Sequence, residues 1–127
     1  MTPLGIGLVA LGGALGSVAR HAMGVWLLRG LGTSLPWGTL AVNVLGSAII
    51  GVVAGISAAG TPPSGEVRLF LVTGVLGGFT TFSAFSLDAV LLAERGQLLV
   101  AIGYVLLSVA GSIAALAAGL SLARAAA

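Results

Sequence analysis

The residues best suited to handling an ion fall in one run past the middle of the chain, Gly77-Gly78-Phe79-Thr80-Thr81-Phe82-Ser83-Ala84-Phe85-Ser86. Paired glycines followed by two β-branched threonines are poor material for continuous helix, so the run predicts a local break. A break frees backbone carbonyls, and freed carbonyls bind a cation. The hydroxyls of Thr80, Thr81, Ser83 and Ser86 can donate to an anion. Phe82 and Phe85 are three apart and share a face once helix resumes. An aromatic ring has a positive edge, so rings set edge-on to a path favour an anion, although phenylalanines at this spacing more often pack a core or face lipid.

Two polar stripes accompany this run. Thr39, Asn43 and Ser47 lie at i, i+4 and i+8, one face of a helix, and Tyr104, Ser108 and Ser112 repeat the pattern. Gly13, Ser17, Arg20 or His21, and Gly24 form a comparable line nearer the N-terminus. If these helices cross a bilayer, such faces must meet protein or water, because hydroxyls and amides facing lipid are costly. Interhelical hydrogen bonding alone would suit Ser47 or Ser112. Asn43 reads as a pore residue, an amide near mid-membrane that can donate to an anion. Arg20 either draws anions into a vestibule, snorkels to the interface, or satisfies backbone carbonyls.

The elements that must carry these residues are membrane spans. Of 127 residues, 58% are hydrophobic and only 6% charged, against about 25% charged in soluble domains. Uncharged runs cover 1–19, 30–65, 69–87 and 96–123, and a bilayer core needs about 20 apolar residues per helix. Four spans fit in one domain over 1–127: helix 1 from about Leu4 to Arg29, helix 2 from near Pro36 to before Gly60, helix 3 from about Glu66 to Glu94, helix 4 from Leu98 to about Ala123. Thr61-Pro62-Pro63-Ser64 is the strongest loop signal. Gly12 and Gly16, Gly51 and Gly55, and Gly74 and Gly78 stand four apart, the spacing that lets helix backbones approach closely. The broken segment is expected at the protein's core, since freed backbone at membrane depth must be buried in protein or line a polar cavity.

Four crossings place both termini on one side. That side holds Arg68 and Arg124, the other Arg29 and Arg95, with Arg20 deeper. So flat a charge distribution predicts insertion in both orientations and pairing of two oppositely directed copies; a single orientation set by Arg20 and Arg29 is the alternative. Ser17-Val18-Ala19 looks like a cleavage site, but no Lys or Arg precedes the apolar stretch, so cleavage is not expected.

Catalysis finds no support. There is no cysteine, a single histidine, no nucleophile-elbow motif and no carboxylate pair in a shared pocket. The arginines are scattered singly between spans, which argues against a nucleic-acid partner. Asp88 and Glu94 sit towards the end of helix 3, so no acid holds the mid-membrane position a proton-coupled exporter needs. A small multidrug-type four-helix exporter is the alternative transporter, and it would require a membrane carboxylate in helix 1 that is missing. A non-transporting scaffold would not need the polar stripes or the broken segment.

Three stretches, Gly12-Gly13-Ala14-Leu15-Gly16-Ser17-Val18-Ala19-Arg20, Gly38-Thr39-Leu40-Ala41-Val42-Asn43-Val44-Leu45-Gly46-Ser47 and Gly77-Gly78-Phe79-Thr80-Thr81-Phe82-Ser83, together resemble the CrcB/Fluc family of bacterial fluoride channels over almost the full chain. His21, Leu76 and Ala84 depart from the usual pattern and carry no assigned role. The resemblance implies an all-α protein of the inner (plasma) membrane that forms an antiparallel, dual-topology homodimer with two fluoride pathways at its interface. It implies a structural Na⁺ held on the two-fold axis by the carbonyls of Gly77 and Thr80. By the same resemblance Phe82 and Phe85 line the pathways, Asn43 and Ser108 supply polar contacts beside Tyr104, Thr39, Ser83 and Thr81, and Arg20 sits at the vestibule. The implied task is passive exit of cytosolic fluoride, which enters as the neutral weak acid and is trapped as the anion.

Overall fold

The computed structural model describes residues 1–126, and all regular structure in it is helical. Helix α1 (Pro3–Leu31) begins where the Thr2 hydroxyl accepts from the Gly5 N–H at 3.0 Å, with proline at its first position. It stops at Gly32, whose φ of 78° suits glycine. Helix α2 (Trp37–Ala58) follows Pro36 and ends before Gly60, at φ 97°, which opens the proline loop. The third span, Gly65–Glu94, is composite. It comprises α3 (Gly65–Arg68), a π-helix (Leu69–Leu76), the turn α4 (Gly77–Phe79), two extended residues, and α5 (Phe82–Glu94). Gly96, at φ 79°, turns the chain into α6 (Leu98–Ala126). Four helical stretches are thus long and apolar enough to cross a membrane.

Glycine and apolar packing hold the spans together. A Cβ on Gly12 would meet the Phe70 carbonyl, one on Gly16 the Val75 carbonyl, and one on Gly74 the Gly12 backbone at 2.9 Å. Thus α1 lies backbone to backbone on the third span, as the four-residue spacing predicts. Gly51 and Gly55 meet the Leu116 and Leu120 carbonyls in the same way, and Gly119 returns the contact to Ala48, so α2 and α6 form the second pair. Few side chains are buried; Phe85, Leu92, Ala101 and Tyr104 form one cluster between α5 and α6. Val42 and Leu76 are buried as well, while many other leucines and valines face outward, as expected where the solvent is lipid.

Helix 3 breaks within the expected run, at its threonines and not at its glycines. Gly77 is helical, at φ −62° and ψ −37°. The interruption falls on Thr80 (φ −87°, ψ 154°) and Thr81 (φ −154°, ψ 122°), both extended. β-Branched residues accept extended backbone readily, while Gly74 and Gly78 serve contact with α1. The π-helix upstream was not foreseen, since its i to i+5 bonding has no distinct hydrophobic period. The expected core placement also needs correction for a single chain: Gly77, Phe82 and Ser83 are exposed, Phe82 by 77%.

Candidate ion pathway at the interrupted third span

The break is held by side chains from two other helices. Thr80 N–H still donates to the Leu76 carbonyl at 3.0 Å, and its hydroxyl donates there too at 2.9 Å. Thr81 N–H has left the Gly77 carbonyl and donates instead to Asn43 Oδ1 at 2.8 Å. Asn43 Nδ2 answers by donating to the Thr81 carbonyl at 2.9 Å. The amide therefore pairs with one extended residue as a neighbouring strand would, which requires Thr81 to be extended. Thr81 Oγ1 then accepts from the Ala84 N–H at 3.2 Å and caps α5. Arg20 Nε donates to the Gly78 carbonyl at 3.0 Å.

The break leaves carbonyls without their helical donors, those of Gly77 and Thr80 among them. The helical partner of Gly77 O would be the Thr81 N–H, which serves Asn43, and that of Thr80 O would be the Ala84 N–H, which serves Thr81 Oγ1. Among the described residues no other donor reaches either oxygen. These are the hard oxygen ligands that a monovalent or divalent cation of the alkali and alkaline-earth type takes, so the residues present fit one. No cluster of three His, Cys, Asp or Glu side chains occurs among the described residues, so a cation here would rest on backbone oxygen.

Two cavities flank the break. The larger, about 370 Å³, is bordered by Asn43 and Ser47 of α2, Thr80, Thr81, Phe82 and Phe85 of the third span, and Ser108 and Ser112 of α6, with Ile50, Val109 and Ile113 supplying an aliphatic wall. The smaller, about 250 Å³, is bordered by Arg20, Trp37, Thr39, Thr81 and Ala84 among others. Thr81 borders both and so separates an arginine-containing chamber from a hydroxyl-lined groove. Among the described residues Ser108 Oγ is buried without a hydrogen-bond partner, beside the groove.

Of the residues singled out in the sequence, Asn43, Thr81, Phe82, Phe85 and Ser108 meet at the groove, and Arg20 and Thr39 at the chamber. Phe82 and Phe85 stack at 5.4 Å with their planes tilted by 56°, and Phe85 stacks on Tyr104 at 5.4 Å. Tyr104 borders neither cavity; it is 1% exposed and its hydroxyl donates to Asp88 at 3.1 Å. Ser83 also borders neither and lies 3.3 Å from the Thr81 hydroxyl. Sequence reasoning missed Trp37, whose indole nitrogen is buried and unpartnered at the α2 entrance. An aromatic just inside a span reads as an interfacial anchor, so no signal distinguished it. It also treated Asn43 as a pore donor alone, whereas two of its hydrogen-bonding positions hold backbone and one N–H remains open.

Fold and site together define a small protein of four helices long and apolar enough to cross a membrane, with two cavities beside an interrupted helix. Residues 7–120 match the family model described as CrcB-like protein, Camphor Resistance (CrcB), and the chain belongs to that family. It is 58% identical over 121 residues to the "Fluoride-specific ion channel FluC" of Agrobacterium fabrum (strain C58 / ATCC 33970), covering 95% of this chain and 97% of that one. A protein of the same name from Rhizobium johnstonii is 56% identical over 118 residues, covering 93% and 94%. The one from Rhodospirillum centenum is 54% identical over 116 residues, covering 91% and 92%.

Proposed function

We propose that this chain is a passive fluoride channel of the bacterial inner membrane, working as an antiparallel homodimer with a pathway on each side of its interface. The observation that carries this reading is the extended pair Thr80 and Thr81, set between an arginine-containing chamber and a groove of hydroxyls, an amide and two phenylalanines. It is supported by identity of 58% to a relative named as a fluoride-specific channel. Its role is conduction rather than catalysis.

Fluoride is small and firmly hydrated, so a pore must replace its water with donors at close range. The open Asn43 N–H, the unpartnered Ser108 hydroxyl and the edges of Phe82 and Phe85 are such donors. Arg20 lends the chamber positive charge. No coupling ion is needed for export, since the membrane potential drives an anion outward.

A second copy answers what a single chain leaves open. Gly77 is exposed with an unpaired carbonyl, and such a group facing hydrocarbon costs several kcal/mol. A partner packed on this face would cover it together with Phe82. The even spread of Arg29, Arg68, Arg95 and Arg124 over both ends favours opposite orientations. The carbonyls of Gly77 and Thr80 from both copies would hold Na⁺, which supplies a fixed positive charge where four carbonyl dipoles would otherwise repel.

The test is efflux of fluoride, read by electrode, from liposomes containing only this protein. Rapid fluoride release with chloride retained is the expected result. Leakage no faster than from empty liposomes would exclude conduction and leave a scaffold.

A further inference from the structure

We infer that Arg20 acts as a positioning residue for the interrupted span, through its Nε–H, and not only as a charge in the chamber. The inference rests on the reading of the break as an ion site. In an unbroken helix the Gly78 carbonyl would receive the Phe82 N–H, but the extended pair carries that group away. Arg20 Nε, 3.0 Å from the oxygen, replaces it. The guanidinium also stands at the C-terminal end of the helical run Gly65–Phe79, where the macrodipole is negative.

Close packing explains why the inner nitrogen makes the bond. A Cβ on Gly78 would lie 2.5 Å from the Gly13 carbonyl and 3.1 Å from the Ser17 nitrogen. With α1 lying directly on the third span, the arginine stem reaches the carbonyl before its fork does. Arg20 also borders the chamber shared with Thr39 and Thr81. The bond also takes one oxygen of the break out of reach of an ion: Arg20 occupies the Gly78 carbonyl, while those of Gly77 and Thr80 have lost their helical donors.

Two replacements separate charge from the inner donor. Arg20→Lys keeps the charge and loses the fixed Nε–H; citrulline at position 20, introduced by ligation, keeps the Nε–H and loses the charge. The full-length protein is compared in nanodiscs for hydrogen exchange of residues 77–86 and in liposomes for fluoride efflux. Positioning predicts that Arg20→Lys exchanges this segment at least about tenfold faster than the unmodified protein, while citrulline stays within about threefold. Efflux should fall to about a tenth or less in Arg20→Lys, and it should fall with citrulline too because the chamber loses its charge, so hydrogen exchange is the readout that separates the two roles. The reverse ranking, with Lys near wild type in both readouts and citrulline impaired, would overturn the inference and leave Arg20 as a charge alone. Equal impairment of both in exchange would overturn it too. If the unmodified protein passes no fluoride, the functional reading fails while the exchange comparison still decides the role of Arg20.

Discussion

Asn43→Asp removes one atom's worth of chemistry from the break and adds a charge to the groove. The amide nitrogen lies 2.9 Å from the Thr81 carbonyl and the amide oxygen 2.8 Å from the Thr81 nitrogen. A carboxylate keeps the second bond and loses the first, so an oxygen then faces the Thr81 carbonyl at bonding distance. Leaving that carbonyl unsatisfied costs about 1–3 kcal/mol. The charge acts separately on the passing ion: at about 5 Å and an effective dielectric near 20, two like charges repel by about 3 kcal/mol. That barrier slows flux by about a hundredfold. Asn43→Ala loses both bonds without the charge, so it should be destabilised at least as much yet conduct better than the aspartate variant. Fluoride efflux from liposomes and thermal unfolding in detergent, measured on both variants, separate the two effects. Efflux from Asn43→Asp within threefold of wild type, with unchanged melting, would refute the assignment of Asn43 to both the break and the path.

Phe82→Ile keeps an apolar side chain of similar reach but removes the ring edge and the 5.4 Å stack on Phe85; fluoride efflux should fall while elution as a dimer is retained, and unchanged efflux would return Phe82 to packing. Gly51→Val forces a Cβ onto the Leu116 carbonyl, a backbone atom that cannot move aside, so α2 should separate from α6 with a loss above about 3 kcal/mol, seen as aggregation on purification. Gly7→Ala, at a helical site with nothing within 4 Å, should instead be neutral or gain up to about 1 kcal/mol in unfolding measurements. Exchange of Na⁺ for N-methylglucamine, too bulky for a carbonyl cage, should weaken the dimer and slow efflux if Gly77 and Thr80 hold a cation; full activity after exhaustive removal would count against that site.

Much of this protein is legible from one dimension. A bilayer imposes a single length scale, so runs of uncharged residues locate the spans, and prolines and glycines locate their ends within a few residues. The glycine pairs report close helix contact because lipid gives helices no other strong reason to adhere, and Gly12, Gly16, Gly51, Gly55, Gly74 and Gly78 all make such contacts. A break in the Gly/Thr segment was likewise readable, since local propensity acts on neighbours in the chain. That α2 and α6 each carry one polar face followed from helical period alone, and Asn43, Ser47, Ser108 and Ser112 of those faces border one groove.

What required the third dimension was every partnership between distant residues. Whether glycine or threonine unwinds the span depends on who takes over the lost hydrogen bonds, and the answer lies 38 residues away in Asn43 and 58 away in Arg20. Composition cannot tell a donor free for an ion from one engaged by backbone, as with Tyr104, whose hydroxyl serves Asp88. The chamber beside Trp37 likewise exists only where α1, α2 and the third span come together. Sequence therefore determined the spans and their material, because those follow from local propensity and membrane thickness. Tertiary packing decided which atoms face the passage, because hydrogen bonds are satisfied pairwise across helices and no period in the chain records the partner.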